Sequence, residues 1–222
     1  LKCLSESSFK DFKLFIIDNN SVDETVEIIC KIKKIDVQVI ENKKNIGVAA
    51  ANNMGIKLAL DQGYQKVLLS NNDIVFDKNI IGDLVNFSKN QSSSISSLKI
   101  MYEHDKDKIW YCGGFFNFNK GLVPEHLGIG QPDFGQYNHL KYSDYAPTCF
   151  VLFDSKVFSE IGFMDEAYFV YFDDTDFFYR VKKNGNFKLL VNHKIKIFHK
   201  VGSLTSTSDA KGKKSNFFIS QN

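Results

Sequence analysis

Short apolar runs alternate with stretches of helical periodicity through the first part of the chain. Apolar runs at 12–17, 37–40 and 67–69 predict strands. Between them, apolar residues recur every three to four positions over 22–32 and 48–62, which predicts helices. Strand and helix alternation of this kind favours parallel strands joined by right-handed crossovers. The pattern therefore predicts an α/β fold with a mostly parallel central sheet flanked by helices.

The second part of the chain is less regular. It predicts helices at 77–89, 155–161 and 173–185, strands at 98–102, 148–153, 189–191 and 195–198, and a polar connection at 92–97. Residues 103–144 are rich in aromatic residues and glycine and lack a clear period. Long irregular segments of this kind are often functional. The segment is either a substrate-facing flap, with Trp110 and Gly114 as candidate contacts, or an irregular packing layer.

The composition is that of a nearly neutral globular protein. The chain has 222 residues, 43% of them hydrophobic, and a formal net charge of +2, so it can bury a substantial core. Its lysines are dispersed rather than gathered into a basic stripe, which argues against nucleic acid as a partner. The four cysteines lie far apart, and no apolar run is long enough to span a bilayer. We therefore expect a reducing, cytoplasmic environment.

The strand at 67–69 is followed by Asn71, Asn72 and Asp73. Ligands of open α/β sheets bind outside the carboxyl ends of the strands. A carboxylate between amides at such an end suits a divalent cation that carries a phosphate. Asn and Asp are also common turn residues, so a simple turn is the alternative.

Three further acids, Asp173, Asp174 and Asp176, open a predicted helix. Acids at a helix start stabilise its dipole and can cap it, and Asp176 can pair with Arg180 one turn later. Capping accounts for one acid more easily than for three. Adjacent carboxylates also raise each other's proton affinity, which suits a general base. His199, at the end of a strand, is either a structural histidine or a further metal or phosphate ligand.

Asn45 and Gly47 precede the helix predicted at 48–62. A helix N-terminus offers free backbone N–H groups to an anion. The segment is neither a Walker loop nor a Gly-x-Gly-x-x-Gly fingerprint, so it does not support an ATPase or a dinucleotide-binding protein.

Five segments in this order resemble family 2 glycosyltransferases of the GT-A fold, and their spacing is most similar to that of rhamnosyltransferase-type members. The segments are IIDNNSVDET (16–25), NIGVAAANNMGI (45–56), LLSNNDIVFD (68–77), the run from TCFVLF to VKKNG (148–185) and HKVGS (199–203). The resemblance implies one Rossmann-like nucleotide-diphospho-sugar transferase domain. It would comprise residues 1–205, with a nucleotide-binding part at about 1–90, an acceptor and catalytic part at about 95–200, and a polar tail at 206–222 that starts a truncated C-terminal extension.

The resemblance also implies an activity: inverting transfer of a sugar, rhamnose being one candidate, from a nucleotide-diphosphate donor to a hydroxyl of a cell-surface glycan or lipid-linked acceptor. The enzyme would be cytoplasmic and able to associate peripherally with the inner face of a membrane. Nothing in the sequence specifies an oligomeric state. The implied roles are nucleotide base binding by Asp18, nucleotide contacts by Asn45, Asn53 and Asn72, Mg2+ or Mn2+ binding by Asp73 and His199, and proton acceptance by Asp174 beside Asp173.

Two departures from the family pattern matter. Asn71 stands where a full DXD motif has its first carboxylate, so the metal would depend more on the diphosphate. The family's first strand should precede Leu1 and lie between the strands at 12–17 and 67–69. Without it, two strand edges would remain unpaired. We therefore expect the chain alone to be less stable than an extended form and weak or inactive.

Two other functions are open at this stage. One is a sugar-nucleotide or glycan binding module without catalysis, which would bind donor and not turn it over. The other is a phosphoryl or nucleotidyl transferase. It would need a second carboxylate near Asp73, or a phosphate-binding lysine or arginine in the loop that contains Asn45 and Gly47. Neither feature is evident in the sequence.

Overall fold

The computed structural model describes residues 1–139 and 141–201. The tail predicted at 206–222 and the last residues of the HKVGS segment lie outside them. The described helices are α1 (Lys2–Glu6), α2 (Thr25–Cys30), α3 (Val48–Asp61), α4 (Ile80–Asn90), α5 (Ser155–Ile161) and α6 (Asp173–Asn184). The described strands are β1 (Leu14–Asp18), β2 (Val37–Glu41), β3 (Lys66–Ser70), β4 (Ile74–Val75), β5 (Ile95–Tyr102), β6 (Ile109–Tyr111), β7 (Gly114–Asn117), β8 (Val123–His126), β9 (Tyr142–Ser143), β10 (Phe150–Asp154) and β11 (Leu189–His199).

The main sheet has seven strands in mixed orientation. Its path is β3-β10-β5-β11-β4, with β6 paired to β5 and β9 paired to β11. Among its described pairs, β5 and β11 alone run parallel, and β10 runs antiparallel to both β3 and β5. The α/β class is confirmed, but this sheet is mixed rather than mostly parallel. The chain between β5 and β10 forms short strands and turns instead of a crossover helix, so it re-enters the sheet from the end where β5 left it.

Two predicted segments are wrong in detail. Residues 92–97, predicted as a polar connection, contain the start of β5, where Ser96 and Ser97 are fully buried. Small hydroxyl side chains fit inside a packed sheet when they find a partner, and Ser97 donates to the carbonyl of Phe150 at 3.5 Å. The two short strands predicted at 189–191 and 195–198 are one strand, β11, with a register shift between Asn192 and Lys196.

The irregular segment at 103–144 forms a packing layer of short strands. Strands β7 and β8 make an antiparallel hairpin, and β6 pairs with the edge of β5. Tyr111 and Cys112 are fully buried, so this part of the segment belongs to the core. The packing-layer interpretation is therefore favoured over a flap for residues 109–116.

Aromatic side chains fill the core beneath the C-terminal helices. Phe153 of β10 lies between 5.2 and 6.0 Å, centroid to centroid, from Phe158 of α5 and from Phe177 and Phe178 of α6. All four rings are at most 2% exposed. Burying them stabilises each by roughly 2–3 kcal/mol and holds α6, with its acidic first turn, against the sheet.

Strands β1 and β2 form a separate parallel pair. In the described residues, β1 pairs with β2 alone and β3 with β10 alone. Between β1 and β3 lies a cavity of about 650 Å³, lined by apolar side chains that include Phe15, Ile16, Val67 and Leu68. This cavity lies where the resemblance places an additional strand.

Candidate active site

The two residues predicted to bind a metal lie side by side. Asp73 follows β3, and His199 ends β11, which pairs with β4 directly beyond Asp73. His199 Nε2 lies 3.3 Å from Asp73 Oδ1, and the two side chains are 10% and 11% exposed. The N–H of Lys200 donates to the carbonyl of Asp73 at 3.0 Å. The backbone therefore holds these two side chains in one place.

The Asp73–His199 pair is compatible with a divalent cation that also binds a diphosphate. Mg2+ is usually held by one or two carboxylates together with substrate phosphates, and imidazole is a common ligand of transition metals such as Mn2+. His199 Nδ1 is buried and has no hydrogen-bond partner within the described residues. No group of three or more His, Cys, Asp or Glu side chains suited to a metal occurs in residues 1–139 and 141–201. The diphosphate would therefore have to supply most of the ligands.

The segment around Asp73 is also a turn, as the alternative predicted. Residues 72–73 are in turn conformation, and Asn72 is exposed. The N–H of Asn71 donates to the carbonyl of Cys149 at 2.8 Å. The turn is thus anchored beside β10, and Asn72 is left accessible to a ligand.

Asp173 and Asp174 are the first two residues of α6, and neither caps it. The residue before them, Phe172, has a left-handed backbone, and the helix has no side-chain cap hydrogen bond. Burial, reinforced by the charge of Asp174, raises the pKa of Asp173 to about 7. Burial also raises the pKa of Asp174. Two carboxyl groups with raised proton affinity are thus concentrated at one helix terminus, as a general base requires.

Tyr145 is the hydrogen-bond partner of Asp174. Its hydroxyl donates to Asp174 Oδ2 at 2.7 Å, and burial raises the pKa of Tyr145 well above its usual value, so it stays a donor. Gly114 permits this arrangement, because a Cβ at residue 114 would lie 2.9 Å from the Tyr145 ring. Gly114 is buried in β7, and its N–H already donates to Ser143 Oγ at 2.7 Å, so it is not free to donate to a ligand. The structure therefore gives Gly114 a packing position rather than a direct substrate contact.

A continuous series of ring contacts connects the Asp73–His199 pair to Asp174. Trp110 packs edge-on against His199, with centroids 4.4 Å apart, and against His126, at 5.0 Å. His126 in turn stacks on Tyr145 at 5.7 Å, the residue that binds Asp174. The ring of Trp110 thus lies beside a candidate metal ligand, and its contact with substrate stays a prediction.

The thiol of Cys149 is affected by the charges of both Asp73 and Asp174. The thiol is buried, and burial together with these charges raises its pKa well above the ordinary value. The charges of both carboxylates thus act on one buried group, although about a hundred residues separate them in the chain. Their convergence on one catalytic site stays a prediction.

The predicted nucleotide residues Asp18 and Asn45 stabilise loops after β1 and before α3. Asp18 accepts hydrogen bonds from the Ser21 N–H at 2.9 Å and the Ser21 hydroxyl at 2.5 Å. Asn45 Oδ1 accepts from the Gly47 N–H at 2.9 Å. The N–H of Val48, the first residue of α3, donates to the carbonyl of Phe169 at 2.8 Å. The helix terminus proposed as an anion site is therefore partly occupied by the chain itself.

Asn53 lies inside the protein. It is 1% exposed, its Nδ2 donates to the Met164 carbonyl and to Glu166 Oε1, both at 2.9 Å, and its Oδ1 accepts from the Met164 N–H at 3.0 Å. Its side chain thus fastens the segment after α5 to α3. A direct nucleotide contact by Asn53 stays a prediction that this geometry does not favour.

Tyr145 and His126 were not identified from the sequence. They lie within or beside the irregular segment at 103–144, where the pattern offers no period from which to infer direction. The one available signal was a tyrosine four residues before Cys149, at the entrance of a buried strand. Only their long-range contacts, with Asp174 and with each other, identify Tyr145 and His126 as part of the candidate site.

Replacing Tyr145 with phenylalanine should move the acidic limb of the pH profile. Its hydroxyl stabilises ionised Asp174, so removing it raises the pKa of Asp174, and deprotonation requires a higher pH. We expect the acidic limb of kcat/KM for sugar transfer to shift upward by about one pH unit. Tyr111→Phe is the matched control, because the Tyr111 hydroxyl is equally buried but donates to the carbonyl of Tyr145 at 2.8 Å. A similar shift in both variants would show that the hydroxyl of Tyr145 has no special effect on Asp174.

Curated relatives are similar to this chain in sequence over most of its length. Agl10 of Haloferax volcanii, a low-salt glycan biosynthesis hexosyltransferase, is 26% identical over 175 residues, which is 76% of this chain and 53% of Agl10. RfbF of Shigella flexneri, a dTDP-rhamnosyl transferase, is 25% identical over 203 residues, which is 90% of this chain and 63% of RfbF. The chain thus spans between half and two thirds of these relatives.

A solved structure shares the fold. The mannosyltransferase PcManGT of Pyrobaculum calidifontis, in complex with GDP-Man and Mn2+, superimposes with a TM-score of 0.63 at 12% identity, covering 90% of this chain and 51% of PcManGT. This likeness concerns the fold alone, and it confirms the GT-A architecture that the resemblance implied. The sequence model described as Glycosyl transferase family 2 matches residues 1–161, well over half of the chain. The chain therefore belongs to glycosyl transferase family 2.

Proposed function

We propose that this protein transfers a sugar, with inversion, from a nucleotide-diphosphate donor to a hydroxyl of a glycan or lipid-linked acceptor. The observation that carries the proposal is the series of contacts that joins the Asp73–His199 pair, 3.3 Å apart, to Asp174 through the rings of Trp110, His126 and Tyr145. One carboxylate suits the diphosphate end of a donor, and the other suits an acceptor hydroxyl. This arrangement is what a single displacement at an anomeric carbon requires.

In the proposed reaction, Asp174 accepts the proton of the acceptor hydroxyl. The oxygen of that hydroxyl forms a bond to the anomeric carbon while the bond from that carbon to the diphosphate oxygen breaks, so the configuration inverts. Tyr145 holds the carboxylate of Asp174 by its 2.7 Å hydrogen bond. Asp73 and His199 would hold Mg2+ or Mn2+, which when bound neutralises charge on the departing nucleoside diphosphate.

The nucleotide would lie along the loops after β1 and before α3. Asp18 and Asn45 are placed there, and Asn19 joins the two loops by donating to the Gly47 carbonyl at 3.2 Å. Asn72, exposed beside Asp73, is available to the diphosphate. We assign recognition of the base to Asp18.

The relatives support a hexosyl donor. Agl10 is described as a hexosyltransferase and RfbF as a dTDP-rhamnosyl transferase, and PcManGT binds GDP-Man with Mn2+. We propose rhamnose as the first sugar to test, because RfbF covers the larger share of this chain.

We place the reaction at the cytoplasmic face of a membrane, on a cell-surface glycan precursor. Both curated relatives suggest glycan assembly, Agl10 by its description and RfbF by its rhamnosyl transfer. Within residues 1–139 and 141–201, no helix combines the length and the apolar character needed to cross a bilayer. The proposed contact with the membrane is therefore peripheral for this part of the chain.

A binding module without catalysis is the second candidate. The observation that favours it is that the β1–β2 pair, which ends in Asp18, is not part of the main sheet. A donor bound by this pair would not reach the general base if the pair were held apart from the main sheet. This candidate predicts donor binding without sugar transfer, even in a form extended by the upstream strand that the resemblance implies.

Isothermal titration with UDP and dTDP tests the donor site. In the upstream-extended form, we expect Mn2+-dependent binding that EDTA abolishes and that Asp73→Ala weakens at least tenfold, because the carboxylate is a direct ligand. Asp77→Ala is the matched control, since Asp77 is an exposed acid four residues later. Binding that ignores both metal and Asp73 would contradict the metal assignment. Absence of binding by either nucleotide would overturn the proposed function, and the preferred base would narrow the choice of donor.

A further inference from the structure

A second cavity, of about 330 Å³, lies beside the first turn of α6. Its wall is aromatic, with Phe116 from the β7–β8 hairpin, Tyr179 from α6, and Tyr168 and Phe172 from the segment before α6. Phe172 is 56% exposed and Tyr168 is 37% exposed. Large aromatic side chains are seldom left in contact with water around a pocket unless something covers them.

The same cavity is also lined by polar residues. Thr175 and Asp176, from the first turn of α6, line it. Asp176 is held in place by Arg180, whose Nε donates to Asp176 Oδ2 at 2.8 Å. Aromatic rings together with a fixed carboxylate and a hydroxyl suit a ligand with an apolar face and a rim of hydroxyl groups. A pyranose ring has this character.

Thr175 connects this cavity directly to the candidate base. Thr175 lines the cavity, and its hydroxyl lies 3.4 Å from Asp174 Oδ1. A molecule in the cavity is therefore one side chain away from the carboxylate that would accept a proton. The position is appropriate for the acceptor, since its hydroxyl must reach Asp174.

The backbone that places Phe172 at the cavity is strained. Tyr171 and Phe172 are consecutive non-glycine residues with φ of 64° and 66°, which costs about 1–2 kcal/mol each. Phe172 also accepts the Asp176 N–H at 2.9 Å through its carbonyl. Strain of this kind, next to a candidate base and at the edge of a cavity, points to a functional demand on the position of Phe172.

We propose that this cavity binds a neutral hexopyranosyl unit of the acceptor, with Phe172 and Tyr168 as its aromatic contacts and Asp176 and Thr175 as its hydroxyl contacts. The inference rests on the proposed function, and it adds the chemical class and the location of the acceptor. A lipid chain is disfavoured because it would bury the carboxylate of Asp176 without a hydroxyl partner. The donor is disfavoured because none of Asp18, Asn45, Asp73 or His199 lines this cavity.

Saturation-transfer difference NMR with neutral methyl hexopyranosides of the gluco, galacto, manno and rhamno series tests the proposal. We expect at least one probe to receive saturation at its ring C–H groups in the protein. The signal should fall at least fivefold in Phe172→Ala and in Tyr168→Ala, and it should persist in the control Phe134→Ala, whose ring is 86% exposed and lies outside the cavity. Titration with UDP and with dTDP on the same samples reports separately on the proposed donor site, and circular dichroism reports on folding.

Each result decides a specific point. UDP binding without any probe binding, or probe binding unaffected by both cavity substitutions, would overturn the cavity assignment while the proposed function stands. Probe binding without binding of either UDP or dTDP would support the cavity as a sugar site and overturn the proposed function. Displacement of the probe by UDP-sugar with Mn2+, but not by UDP with Mn2+, would show that the cavity takes the donor sugar, and displacement by octanol would show that it takes a lipid chain. Either displacement result contradicts the proposal.

Discussion

Replacing Asp174 with asparagine should lower sugar transfer by about 10² to 10⁴ in kcat, the usual contribution of a general base, which corresponds to about 3–5 kcal/mol. Asparagine has the same shape and can still accept the hydrogen bond from Tyr145, but it cannot accept the proton of the acceptor hydroxyl. Donor affinity should be unchanged, because Asp174 does not contact the diphosphate in the proposed arrangement. Transfer by the upstream-extended form, measured as release of nucleoside diphosphate with acceptor present, gives the comparison.

Asp173→Asn is the matched companion of that substitution. Burial, and not the charge of Asp173, raises the pKa of Asp174. We therefore expect Asp173→Asn to leave the acidic limb of kcat/KM close to that of the wild type, with a much smaller loss at the plateau than in Asp174→Asn. The structure also leaves a competing assignment, since Asp173 Oδ2 is buried with no hydrogen-bond partner within the described residues. Near-normal turnover in Asp174→Asn with severe loss in Asp173→Asn would reverse the two roles.

Replacing Gly47 with alanine should destabilise the fold by about 2–4 kcal/mol and weaken donor binding. Gly47 has φ of 87° and ψ of 170°, a backbone conformation open essentially to glycine. An added Cβ would lie 2.7 Å from the carbonyl oxygen of Phe169 and 2.9 Å from its ring. That carbonyl accepts the first N–H of α3, from Val48. The substitution therefore breaks the contact between the loop that contains Asn45 and Gly47 and the segment that leads into α6.

Gly63→Ala is the control that measures backbone strain without a steric clash of the added Cβ. Gly63 has φ of 80°, similar to that of Gly47, but no atom lies within 4 Å of the position a Cβ would take. We expect it to lose about 1–2 kcal/mol from backbone strain alone. Urea denaturation of both variants, with UDP titration alongside, measures the difference. Equal losses would mean that the contact between Gly47 and Phe169 does not form in solution.

The local elements followed from the sequence wherever the period was strong. Helix α3 begins at Val48 directly after Gly47, and α6 begins at Asp173 and ends before the left-handed Gly185, as predicted. The ion pair between Asp176 and Arg180 was likewise read from one helical turn of spacing. These features depend on neighbours in the chain, so local physics suffices to predict them.

Strand order and direction did not follow from the sequence. The antiparallel β10 between β3 and β5, and the extension of β5 back to Ile95, depend on long-range pairing. The serines at the start of β5 are polar by type and buried by context, so no local rule identifies them as strand. Tertiary packing overrides propensity at such positions.

By itself, the sequence determined the α/β class, the helices with a clear period, and the types of chemical group available at each strand end. The tertiary structure alone decided which of those groups meet: Asp73 with His199, Tyr145 with Asp174, and Asn53 with Met164 and Glu166 rather than with open solvent. The physical reason is that propensity and amphipathic pattern act over a few residues. Contacts between residues a hundred positions apart are selected by the packing of the whole core.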